Sequence, residues 1–159
     1  MAIPYNAQVL MNAQQAAEDA NQTVEAAIQI AGFLQTNLVT GFDTHHVALE
    51  SFDFQDVLRS MVFRTPFGQV WGRLEFERSA HGLLDGAIQL FSVRGDERGG
   101  FALTRLHRFS FHRSGVASFD ESIADGGDWD LRGDSMAPAA VGRTFARILL
   151  QKQLEQIPA

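Results

Sequence analysis

The chain has 159 residues, the size of one ordinary domain, and 45% of them are hydrophobic, which supports a packed core and excludes a disordered chain. The formal net charge of −6 disfavours general, salt-driven binding to nucleic acid, and the absence of cysteine excludes disulfides, thiol catalysis and cysteine-type zinc sites. No apolar run approaches the roughly 20 residues of a membrane-spanning helix, and the N-terminus lacks the charged and apolar regions of a signal peptide, so a cytoplasmic protein without a membrane partner is expected. Of the 13 basic residues only Lys152 is lysine, a bias that a GC-rich bacterial genome produces.

Residues 6–38 repeat in sevens. Leu10, Ala17, Val24, Ala31 and Leu38 are spaced seven apart, and Ala13, Ala20, Ala27 and Leu34 fill the second position between them. Such a stripe predicts one long helix that packs against another helix. Pro4 precedes it, Asn6 can cap it, and Gly41 is placed to end it. At 1.5 Å per residue the rod would be about 50 Å long. A domain of this size has a radius of gyration of only about 15 Å. Either the helix breaks, near Asn21 or Gly32, or part of it projects and pairs with a companion.

Residues 45–119 read mainly as antiparallel sheet. His45 to Phe52 is a first strand. Over 53–61, Asp53 can cap a short helix whose Phe54, Val57, Leu58 and Met61 recur at helical spacing, and this is preferred slightly to a strand. From Met61 the period is two. Thr65-Pro66-Phe67-Gly68 is a tight turn, and the strand after it places Val70, Leu74 and Phe76 opposite Gln69, Trp71, Arg73, Glu75 and Glu77. After a turn at His81-Gly82 come a central strand over 83–94, a glycine-rich hairpin loop over 95–100, a long strand over 101–113 and a short one over 116–119. Short turns between close strands require an antiparallel meander. An acidic loop follows, with a candidate short strand at 129–131, and Pro138 opens a last helix over 137–156 whose apolar face is Val141, Phe145, Ile148, Leu149 and Leu154. The expected fold is a single α+β domain: long N-terminal helix, antiparallel meander of five or six strands, and a C-terminal helix packed on the sheet.

Chemical motifs are sparse. His45 and His46 beside Asp43, and His107 with His112, point to opposite faces of regular strands, so no metal is expected. Asp128, Asp130 and Gly133 resemble the start of a calcium loop, but Arg132 and Ala139 stand where ligands are required. Arg-Gly-Asp occurs at 94–96 and 132–134, where turns account for it. Nucleotide-binding and nucleophile-elbow motifs are missing, and neither a cofactor nor catalysis is expected. The strand 104–113 interleaves Arg105, His107, Arg108 and Arg113 with Phe109 and Phe111. Strict alternation puts Arg105, His107, Phe109, Phe111 and Arg113 on one face, as a single-stranded nucleic-acid platform would need.

The leading expectation is a non-enzymatic interaction or assembly module whose partner is a second copy of itself. Its interface runs along Leu10, Ala13, Ala17, Ala20, Val24, Ala27, Ala31 and Leu34. The first alternative is a ligand-binding or enzymatic domain with Arg105, His107 and Asp85 in a sheet concavity. The second is a nucleic-acid module using Arg105, His107, Arg108 and Arg113.

Overall fold

In the computed structural model the described residues are 7–39, 46–56, 58–78, 84–118, 128–130 and 138–158; for 7–9, 39, 128–130, 138 and 139 the backbone alone is described. Helix α1 spans Ala7–Val39 without a break. Strands β1 (Ala48–Asp53), β2 (Ser60–Thr65), β3 (Gly68–Arg78), β4 (Leu84–Gly95), β5 (Phe101–Phe111), β6 (Val116–Ser118) and β7 (Asp128–Asp130) follow, and α2 (Pro138–Glu155) closes the chain. The strands pair antiparallel in sequence order, a meander that curls into a half-barrel. The three-residue β7, one position earlier than the sequence implied, makes the sheet one strand wider than the five or six expected.

Alternation along the strands explains the two sheet faces. Met61, Phe63, Val70, Leu74, Ile88, Leu90, Phe109 and Phe111 are buried together on the concave face. Both helices lie in that concavity. From α1 come Ala26, Ala27, Ile30, Ala31 and Leu34, and from α2 Val141, Phe145, Ile148 and Leu149. Phe145 is the hub: its ring lies 5.4 Å from that of Phe63 and 5.9 Å, edge-on, from that of Phe109. Leu154, counted on the apolar face of the last helix, is exposed instead. The helices meet where α2 carries Gly142; a β-carbon there would stand 2.6 Å from the Asn37 carbonyl oxygen.

The short helix expected over 53–61 does not form. The Asp53 carboxylate accepts the N–H groups of Gln55 (3.0 Å) and Asp56 (3.1 Å), which caps a turn rather than a helix. Arg59 then takes φ 47°, a left-handed conformation that no right-handed helix carries through. Its N–H is held by the Asp56 carboxylate (2.7 Å), and its carbonyl accepts from Leu74 N–H (2.9 Å). Phe54 and Met61 are buried as expected of an apolar face, but Leu58 is exposed and Met61 belongs to β2, paired with Phe52 and Gly72.

The proposed caps Asn6 and Gly41, the His81-Gly82 turn, the Asp43 and His45 positions and the second Arg-Gly-Asp lie outside the described residues. The first Arg-Gly-Asp has a structural use. The Asp96 carboxylate accepts the N–H groups of Arg98 (2.9 Å) and Gly100 (2.7 Å) and so shapes its own hairpin loop.

Candidate functional site: the projecting half of the first helix

The two halves of α1 differ in what lies beside them. Every residue from Leu10 to Glu18 is exposed, whereas from Asp19 onward one face is buried. The transition is marked by a polar anchor. Asp19, 3% exposed, accepts hydrogen bonds through Oδ1 from Gln15 Nε2 (2.9 Å) and from the Arg113 guanidinium (2.7 Å) in the turn between β5 and β6. One turn on, the Thr23 hydroxyl donates to the Asp19 carbonyl (2.8 Å). Beyond this anchor the helix runs twelve residues further, Ala7–Glu18, about 18 Å at 1.5 Å per residue.

The heptad stripe is thereby divided. Ala27, Ala31 and Leu34 are 0% exposed and packed in the chain's own core. Val24 packs partly against that core and Ala20 is half-buried. Leu10, Ala13 and Ala17 are exposed, with Leu10 at 52% and its neighbour Met11 at 61%. The split is one of reach, since every residue from Leu10 to Glu18 is exposed whichever face it occupies, and helical geometry adds an offset to it. A seven-residue repeat drifts about 20° per heptad around a 3.6-residue helix, so over four heptads Leu10 stands roughly 80° around the axis from Leu38. The end of the stripe that meets the sheet cannot lie in line with the end that leaves it.

The composition of the free end is unusual for a solvated helix. The eleven residues Ala7–Ala17 contain no charged side chain. Exposed helices ordinarily carry charges for solubility and for i,i+4 pairs. Alanine, leucine, methionine and glutamine sustain a helix and let a second backbone approach closely.

The other candidate residues do not converge. A β-bulge interrupts the pairing of β4 with β5: Leu90 pairs with His107 and Phe91 with Arg105, so Leu106 is an extra residue. The bulge reverses the alternation. His107, Phe109 and Phe111 share the concave face, while Arg105 lies on the opposite face beside Phe91. Arg113 is beyond the strand and paired with Asp19. Arg108 reaches across β4 to form an ion pair with Glu77 and also contacts Ser110. The single face of cations and aromatics expected from strict alternation is therefore absent. Asp85 shares the convex face with Arg105 but lies six residues away along β4, about 20 Å, beside His112 (3.7 Å). The concavity offered as a ligand pocket is occupied by the core side chains of α1 and α2. Among the described residues no three His, Asp or Glu side chains group as metal ligands would, and no helix is long and apolar enough to cross a membrane.

Sequence reasoning missed an aromatic cluster on the convex face. Trp71 and Phe101 lie 5.8 Å apart, and the Arg73 guanidinium sits 5.6 Å from the Phe91 ring centre. Alternation places Trp71 outward, but the register that brings Phe101 to it is set where the 95–100 loop closes, with Gly95 opposite Phe101, and the sequence does not fix that pairing. Comparison of the chain with protein-family models, with curated proteins and with solved structures returns no match.

Proposed function

We propose that the protein is a non-enzymatic assembly module that associates with a second copy of itself through the projecting half of α1. The observation that carries this reading is the exposed stretch from Leu10 to Ala17, without a charged side chain, that extends past the Asp19–Arg113 anchor. A helix end that buries no apolar face is marginal in water, because most helical stability in proteins comes from packing such a face. Pairing two such ends gives Leu10, Ala13 and Ala17 a surface to pack on. The alanines allow the close backbone approach that a small-residue seam requires. The cysteine-free composition fits assembly in a reducing, cytoplasmic setting.

The test is a chain carrying Leu10→Glu, Ala13→Glu and Ala17→Glu. These positions are exposed, so the fold is expected to survive, with an unchanged circular dichroism spectrum. Its mass by light scattering should fall relative to the parent. A parent and variant of equal mass would overturn the proposal.

A further inference from the structure

The hairpin of β4 and β5 carries a second surface, remote in sequence from α1. Residues 101–105 are all exposed, although they belong to a strand hydrogen-bonded on one side. On its other side β5 is paired with β6 only at Ser110 and Phe111. Among the described residues no strand pairs with the stretch from Phe101 to Arg105 on that side.

The hairpin geometry fixes which backbone groups face outward. Asp96 N–H donates to the Gly100 carbonyl (2.9 Å), closing the loop on a hydrogen-bonded pair. Bonded and non-bonded pairs alternate along an antiparallel ladder. Arg94–Ala102 and Ser92–Thr104 are therefore the bonded pairs, and Phe101, Leu103 and Arg105 turn their N–H and C=O groups away from β4. The Arg105 carbonyl shows the direction: it accepts from Gln156 Nε2 at the end of α2 (3.0 Å). Between Phe101 and Thr104 the edge has no charge and no proline, two of the devices by which edge strands ordinarily discourage pairing, and the bulge at Leu106 lies beyond this stretch.

We propose that this edge of β5 pairs antiparallel with the same edge of a second copy, centred on Leu103. The sequence Phe-Ala-Leu-Thr-Arg is its own complement in that register. Leu103 meets Leu103 of the partner subunit, and Phe101 meets Arg105 of the partner subunit. On the convex face this places two exposed leucines together and a guanidinium beside each exposed phenylalanine, both favourable cross-strand pairs. Phe101 and Leu103 are 68% and 50% exposed in the single chain, so both gain burial. The Arg105 carbonyl keeps its bond to Gln156 and accepts a second from the partner, since a carbonyl oxygen has two lone pairs. This contact is independent of the α1 reading. With both in place, each copy has two distinct self-contacts and the assembly extends beyond a dimer.

The chain has no native cysteine, so single substitutions report the register directly. In a hydrogen-bonded antiparallel pair opposed Cα atoms lie about 5.5 Å apart, within disulfide reach. Thr104 and its copy would be two residues out of register and beyond about 7 Å, too far to bridge. Under mild oxidation Leu103→Cys should convert most of the chain to a reducible dimer, while Thr104→Cys stays predominantly single. The same yields are expected in the chain bearing the three α1 glutamates, where helix pairing contributes nothing. A Leu103→Cys yield no higher than that of Thr104→Cys, in either background, would overturn the edge pairing even if the helix contact stands.

Discussion

Asp19 and Arg113, 94 residues apart in sequence, form a 2.7 Å ion pair that pins the middle of α1 to the turn leaving β5. The carboxylate is almost wholly buried and has two side-chain donors, Gln15 and Arg113. The pair marks the boundary between the part of the helix that belongs to the core and the part that does not.

Removing the arginine strands a buried carboxylate. Arg113→Met should lower stability by about 1.5–3 kcal/mol, the range for a hydrogen bond to a charged group. Asp19→Asn should cost less in the Arg113→Met background than alone, because the two residues act as a unit. Urea denaturation of the four proteins in this cycle measures the coupling, and strict additivity would contradict the anchor.

The divided heptad stripe predicts opposite results from one substitution at two chemically identical positions. Ala27→Glu places a carboxylate where the side chain is 0% exposed and should abolish cooperative unfolding or lower the midpoint severely. Ala17→Glu, on the exposed segment, should change the stability of the single chain by no more than about 0.5 kcal/mol. Thermal unfolding of both variants at low concentration distinguishes them, and equal losses would contradict the placement of the two halves.

Gly142 is held by proximity, with no unusual backbone angle required. On propensity alone Gly142→Ala should strengthen α2 by about 1 kcal/mol. The β-carbon, however, would meet the Asn37 carbonyl, a backbone atom that cannot rotate aside. We expect net destabilisation of about 1–3 kcal/mol, the usual cost of overpacking, measured by denaturant unfolding. A stabilised variant would show that the helices cross less closely.

These contrasts show where the sequence was informative. The period-two run from Gln69 to Glu77 and the turn at Pro66-Phe67 announce β3 and its hairpin, because local alternation and turn chemistry decide them. The heptad stripe alone does not decide between a broken α1 and a projecting one, and Gly32 is simply tolerated within the helix. The short helix expected after Asp53 failed because Asp53 and Asp56 spend their carboxylates on turn N–H groups and Arg59 adopts a positive φ, choices made by the sheet that follows. The bulge at Leu106 was invisible, and it separated Arg105 from His107, Phe109 and Phe111. The heptad stripe was legible as a packing surface, but alanine has the same chemistry whether its neighbour is the chain's own sheet or another molecule. Its division at Asp19 required coordinates.

The most direct test of self-association is the mass of the unaltered chain in solution, measured by light scattering over a concentration series in the micromolar range. We predict a mass at a multiple of the 17.6 kDa chain that falls toward one chain on dilution. A folded protein that stays at 17.6 kDa throughout the series would contradict it.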